Sequence, residues 1–219
     1  MLPPTAPHPD DAPSRGLFLA LEGGDGAGKS TQGRLLRDWF RERGREVVMT
    51  HEPGGSALGT QIRQLLLHGD HVAPRAEALL FAADRAHHVE TVIRPALHRG
   101  DVVITDRYLD SSVAYQGAGR DLDADDEVRS LSLWAVQGLV PDLTIVLDIS
   151  PELGRARRGA VHDRLEAEPD GFHARVRARF LALAAATPER YLVVDATEDP
   201  DQIHDQVVAR LETLVGVTP

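Results

Sequence analysis

A chain of 219 residues with 42% hydrophobic and 26% charged content is long enough for one globular domain with a substantial core. Its formal net charge of −10 argues against broad nucleic-acid binding, so phosphate recognition has to come from local clusters of positive charge. The absence of cysteine excludes disulfides and thiolate metal sites, and no apolar run reaches the ~20 residues of a membrane span, so a cytoplasmic, membrane-free protein is expected.

Residues 1–15 are rich in proline, lack apolar periodicity and are expected to form a disordered leader ahead of a single domain over 16–219. A short apolar run over 17–21 predicts a buried strand. It leads into Gly23-Gly24-Asp25-Gly26-Ala27-Gly28-Lys29-Ser30, which fits the phosphate-binding loop G-x-x-x-x-G-K-[ST], and a helix is predicted over about 28–43. Strand, glycine loop and helix N-terminus in that order turn backbone N–H groups and a positive dipole end toward an anion. Lys29 is the only lysine of the chain; the other 23 of its 24 Lys and Arg residues are arginine. A position that keeps lysine against that bias needs a compact ammonium, here for the β- and γ-phosphates of a nucleoside triphosphate, while the hydroxyl of Ser30 suits Mg²⁺.

Further strands are predicted at 46–50, 102–105, 143–147 and 191–194, and helical stretches at about 57–67, 75–99, 124–138, 151–158, 170–186 and 200–215. This alternation predicts an α/β fold with a doubly wound, five-stranded parallel sheet. Ligands then collect at the carboxyl ends of the strands, where His51-Glu52-Pro53-Gly54-Gly55, Asp106-Arg107-Tyr108, Asp148 and Asp195-Ala196-Thr197 fall.

Asp106 reads as a Mg²⁺ support or as a turn aspartate, and Arg107 as a phosphate ligand or one half of a surface ion pair. Arg155, Arg157, Arg158 and Arg164 crowd a stretch with Gly154 and Gly159 in it, which fits a lid over about 151–170 or a solvated basic helix balanced by Glu166 and Glu168. Phe81 and Arg85 share one helical face and could stack a base and read its edge, or belong to the core. Ser111, Ser112, Tyr115 and Gln116 form a polar, aromatic turn that could contact substrate. The histidines show no metal-ligand spacing and are expected to be solvated or locally hydrogen-bonded.

Taken together, the segments from Leu21 to Thr31, Glu52-Pro53-Gly54-Gly55, Leu80-Phe81-Ala82-Ala83-Asp84-Arg85, Asp106-Arg107-Tyr108 with Ser111 to Gly117, and Asp163-Arg164-Leu165-Glu166 resemble the thymidylate kinase family. The resemblance implies phosphoryl transfer from ATP to dTMP with Mg²⁺, by an enzyme that is usually a homodimer. It implies that Gly23, Gly24, Asp25, Gly26, Ala27, Gly28, Lys29, Ser30 and Thr31 hold ATP, with Ala196 near adenine, and that Ser30 and Asp106 serve the metal. It implies dTMP contacts from Asp25 (the 3′-hydroxyl), Pro53, Phe81 (stacking), Arg85 and Ser112 (the base edge), Arg107 (the phosphate), Ser111, Tyr115 and Gln116, and a possible cis Glu52–Pro53 bond.

The loop between Gly23 and Gly28 holds no arginine, so the chain is similar to the bacterial type, whose catalytic arginines lie in the lid; Lys29, Arg107, Arg155, Arg157 and Arg158 are the catalytic candidates. Two departures stand out. His51 occupies a position that is often Arg, and Gly159 interrupts the family's lid spacing R-x-R-x-R. Competing readings are a deoxynucleoside kinase, a kinase of another nucleoside monophosphate, or a regulatory ATPase. The N-K-x-D of a GTPase switch is excluded because Lys29 is the only lysine.

Overall fold

The computed structural model describes residues 16–120, 125–157 and 163–215; the predicted leader lies outside them. Its centre is a five-stranded parallel sheet in the order β2-β3-β1-β4-β5, formed by β1 (Phe18–Gly23), β2 (Val47–His51), β3 (Val102–Asp106), β4 (Leu143–Asp148) and β5 (Tyr191–Asp195). Every predicted strand is present, within two residues at each end. In the register, Leu21 lies opposite Asp106, the last residue of β3, and Gly23, the last of β1, lies opposite Leu147 of β4, so the three central strands end on the same side of the sheet with a short stagger. The chain leaves β1 toward β2 and returns to the far side of β1 with β4, which makes the crevice beside β1 the topological switch point.

Alternation along β1 explains the two faces. Leu17, Leu19 and Leu21 point into a core shared with Leu36 and Phe40 of α1 (Lys29–Glu42) and with Ile203, Val207 and Leu211 of α9 (Pro200–Val215). Phe18 and Ala20 point the other way, into a core with Val89, Ile93, Ala96 and Leu97. Both faces are therefore buried, as the continuous apolar runs of a parallel sheet require.

The predicted helix over 75–99 is a relay of three pieces: α3 (Pro74–His88), a π-helical turn Val89–Ile93 and α4 (Arg94–His98). Pro95 explains the change, because it has no N–H to donate to the preceding turn and its ring crowds the carbonyl there. A similar π turn, Gln64–His68, ends α2 (Ala57–Arg63), whose N-cap Ser56 accepts the N–H of Gly59 at 3.0 Å.

The predicted turn around Ser111–Gln116 is helical: α5 (Leu109–Ser112) runs into a long π turn, Val113–Gly119. Two serines, a β-branched residue and two glycines give this stretch poor helix propensity. Burial supplies the missing stability, since Ala114 and Tyr115 pack on Phe172, Val176 and Phe180. The remaining helices are α6 (Asp125–Ala135), α7 (Pro151–Arg157) and α8 (Asp170–Ala186).

Candidate active site

A cleft of about 470 Å³ opens at the C-terminal ends of β1, β2 and β3 and is large enough for nucleotide-sized ligands. One end is the glycine loop. Gly23, Gly26 and Gly28 take φ of 131°, 81° and 95°, left-handed values that side-chain-bearing residues rarely adopt. Gly26 is also hemmed in: a Cβ there would stand 2.3 Å from the carbonyl oxygen of Gly154, and a Cβ on Gly154 would stand 2.5 Å from that of Asp25. Loop and α7 thus meet backbone to backbone.

Lys29 is buried and folds over the loop, donating to the carbonyls of Gly23 (3.2 Å) and Gly24 (3.0 Å), with Asp106 Oδ1 4.0 Å away. Burial, then Arg107, pull its pKa below the usual lysine value, against the opposing pull of Asp106 and Asp25. An ammonium held this way gains strongly from an incoming polyphosphate.

Arg107 follows Asp106 and carries φ of 70°, a strained value for a residue with a side chain. Its Nη1 donates to Gly23 O (3.1 Å) and Ser111 Oγ (3.2 Å), and its Nη2 pairs with Asp25 Oδ1 at 2.5 Å. Its guanidinium lies 4.9 Å from the centre of the Tyr115 ring, and the Tyr115 hydroxyl stands 3.5 Å from Asp25 Oδ2. Asp25, Arg107 and Tyr115 therefore form one group beside Lys29.

At the far end, Phe81 of α3 lines the cleft with Pro53, Leu67, Leu165 and Gln116, and the Glu52–Pro53 bond is cis. Arg85, one turn beyond Phe81, is 1% exposed and is not part of the lining. Its Nε donates to Glu52 Oε2 (2.6 Å), Nη1 to Ser112 Oγ (3.1 Å) and Ser132 Oγ (3.3 Å), and Nη2 to Tyr108 O (3.1 Å). Glu52 Oε1 also meets His88 Nδ1 at 2.9 Å, and His88 Nε2 meets Thr50 Oγ1 at 2.6 Å, so this histidine is locally hydrogen-bonded as expected. Asp84 accepts the N–H of Gly54 at 3.1 Å; burial, then Glu52, raise its carboxyl to about 6.

Of the residues singled out in the sequence, Asp25, Gly26, Gly28, Lys29, Ser30, Thr31, Pro53, Phe81, Asp106, Arg107, Ser111, Tyr115 and Gln116 line this one cleft. Others lie apart from it. Ala196 is buried at the end of β5, where its carbonyl accepts Arg157 Nη1 at 2.7 Å. Arg155 pairs with Asp170 of α8. Arg158 falls outside the described residues. Arg164 turns inward, to Glu77 Oε2 (2.5 Å) and Leu66 O (2.8 Å). His51 lines the cleft next to Arg63, and burial, then Arg63, lower its pKa.

Sequence reasoning assigned no role to Arg63, Glu22 or Glu77. Arg63 lines the cleft and donates to Pro53 O at 2.8 Å, while Glu22 and Glu77 are both 0% exposed and hydrogen-bonded.

A divalent metal would find the Ser30 hydroxyl and the Asp106 carboxylate in this cleft, both hard oxygen donors. Among the described residues no cluster of three or more His, Cys, Asp or Glu side chains could hold an ion. So sparse a donor set suits Mg²⁺, which keeps most of its waters and takes phosphate oxygens, better than an ion that needs a full protein cage.

The thymidylate kinase family model matches residues 21–207 of the chain. A thymidylate kinase from Clavibacter sepedonicus is 63% identical over 205 residues, covering 92% of this chain and 97% of that protein. One from Leifsonia xyli subsp. xyli is 63% identical over 202 residues, covering 90% and 95%. Among solved structures, the crystal structure of thymidylate kinase from Ehrlichia chaffeensis superposes with a TM-score of 0.74 at 31% identity, covering 90% of this chain and 99% of that one.

Proposed function

We propose how the residues of the cleft share one reaction, from the premise that this chain belongs to the thymidylate kinase family and transfers the γ-phosphoryl group of ATP to dTMP. The observation that carries the assignment is the single cleft joining the glycine loop to the Phe81 wall, with Lys29 and Arg107 between them. The loop N–H groups and Lys29 bind the ATP phosphates, and Arg107 binds the phosphate of dTMP. Ser30 and Asp106 would hold Mg²⁺, which would supply charge neutralisation on the phosphates.

Phe81 forms the stacking face for thymine, and Asp25 and Tyr115 border the sugar. Arg85, with four of its five N–H groups already committed, keeps at most one for the polar edge of the base. The acceptor is already an anion, so no strong general base is needed. The protein's task is to bring two anions into line and neutralise the moving group, which Lys29 and Arg107 do from the cleft; the candidates Arg155 and Arg157 would join them only on leaving Asp170 and the Ala196 carbonyl.

Two further assignments accompany this reading. The enzyme is a homodimer, with support from Leu79 of α3 and Trp134 of α6, which are 58% and 76% exposed on helices that pack on each other. It works in the cytoplasm; among the described residues no helix is long and apolar enough to cross a membrane.

The test is an ADP-release assay with ATP and Mg²⁺ against dTMP, dUMP, UMP, dCMP, AMP, GMP and thymidine. Strong preference for dTMP is expected. Turnover mainly with thymidine or another monophosphate would overturn the acceptor assignment.

A further inference from the structure

Glu22 stands one residue before the glycine loop, inside the sheet, and is 0% exposed. A carboxylate there is costly unless its oxygens are well occupied, and they are, all from the chain that follows Arg107. Oε1 accepts the backbone N–H groups of Tyr108 (2.9 Å) and Ser111 (3.1 Å), and Oε2 accepts the Ser111 hydroxyl at 2.6 Å. The Ser111 oxygen in turn accepts Arg107 Nη1 at 3.2 Å. Arg107 is also held from behind, its N–H donating to Leu21 O at 2.9 Å and its carbonyl accepting Thr105 Oγ1 at 2.8 Å. Leu21 and Glu22 therefore grip the turn at residues 107–108 on both sides, at the point where φ is 70°.

We infer that Glu22 is a positioning residue for phosphoryl acceptance: through Ser111 and the Tyr108 amide it fixes the backbone and guanidinium of Arg107, and so sets affinity for the acceptor nucleotide. Glu22 does not line the cleft. A merely structural carboxylate would have served as well with neutral turn residues. This one instead terminates a donor chain that runs from the guanidinium through the hydroxyl to the anion, in which each donor orients the next. A glutamine in its place can present its oxygen to the two amides or to the Ser111 hydroxyl, but not to both, and it removes the negative charge facing Arg107.

The inference rests on the assignment of Arg107 to the acceptor phosphate, and the experiment separates the two. Steady-state KM values for dTMP and ATP are measured for the full chain and its Glu22→Gln, Arg107→Ala and doubly substituted variants. The buffer is set at pH 8, above the value of about 7 to which burial, then Asp110, raise the Glu22 carboxyl against the opposing Arg107. Glu22→Gln is expected to raise the KM for dTMP about tenfold, the effect of losing one charge-assisted hydrogen bond, with the KM for ATP within about twofold of wild type. In the Arg107→Ala background the same substitution should add nothing, because coupled residues are not additive.

A full Glu22 effect persisting without Arg107 overturns the inference while leaving the acceptor assignment intact. An Arg107→Ala enzyme with an unchanged KM for dTMP overturns both. Should Glu22→Gln fail to fold, Glu22→Asp keeps the charge and shortens the reach. It is expected to raise the KM for dTMP less, and again only while Arg107 is present; a rise without Arg107 overturns the inference.

Discussion

Glu77 offers the sharpest test of what holds the Phe81 end of the cleft together. Its carboxylate is 0% exposed on α3, one turn before Phe81. Oε1 accepts Gln116 Nε2 (3.0 Å) and Arg120 Nε (3.2 Å); Oε2 accepts Arg120 Nη2 (2.9 Å) and Arg164 Nη2 (2.5 Å). Two segments far apart in sequence, 116–120 and the one carrying Arg164, thus converge on one side chain of α3. Arg164 precedes Leu165, which closes over Phe81 and Leu67 in a shared apolar cluster. Substituting Glu77 by Ala removes the shared acceptor of two arginines and a glutamine at once.

Breaking a buried ion pair from one side costs about 3–5 kcal/mol. The lower end applies here, because the Arg120 and Arg164 side chains are 15% and 18% exposed and can recruit water, and Arg120 keeps Glu168. At about 2–4 °C per kcal/mol for a chain of this size, Glu77→Ala should lower Tm by roughly 6–12 °C. Thermal unfolding followed by circular dichroism, at one fixed protein concentration, measures it.

The pH dependence adds a second constraint. Burial pushes the Glu77 carboxyl upward, but hydrogen bonds from Arg120, Gln116 and Arg164 outweigh it and hold the group below its ordinary value of 4.5. A depressed folded-state pKa contributes stability above the unfolded value that is lost as pH falls through the folded one. The gap in Tm between wild type and Glu77→Ala should therefore stay constant from pH 7 to pH 5 and close below about 4.5. A Tm within about 2 °C of wild type at pH 7, or a gap that widens in acid, would refute the reasoning.

Two other substitutions probe the glycine-loop end. Lys29→Ala removes the ammonium that the loop carbonyls hold in place; turnover should fall by at least about 10²-fold in the ADP-release assay while the circular dichroism spectrum is retained, and near-normal turnover would remove Lys29 from the mechanism. Gly154→Ala places a methyl group 2.5 Å from the carbonyl oxygen of Asp25, so α7 and the glycine loop must separate. A cost of about 1–3 kcal/mol in urea unfolding and a KM for ATP raised more than that for dTMP are expected, and equal effects on the two substrates would contradict the close approach.

What the sequence made legible, and what it hid, divides by the range of the interaction. Strands buried on both faces announce themselves as apolar runs, and the glycine loop is a local pattern whose geometry is set within eight residues, so both could be read directly. The helix over 109–119 could not, because its propensity is poor and its stability comes from Phe172 and Phe180, some sixty residues later. The stretch read from sequence as a lid illustrates the same limit. Arg155, Arg157 and Arg164 read as one pool of positive charge, yet the fold sends Arg164 to Glu77, Arg157 to the Ala196 carbonyl and Arg155 to Asp170.

Spacing alone carries one more signal. Glu77, Phe81, Arg85 and His88 recur at intervals of four, four and three, on a single face of α3, and all four are buried. A helix that only packs against a core carries an apolar stripe there. An acid, a guanidinium and an imidazole on that stripe require buried partners, since each is costly to hide alone. Glu22, an acid following the five apolar residues 17–21, makes the same demand of a strand. Charges placed where periodicity calls for apolar side chains thus mark the polar networks of this protein within the sequence itself, although only the fold reveals that Glu22 meets Tyr108 and Ser111 and that Glu77 meets Gln116, Arg120 and Arg164.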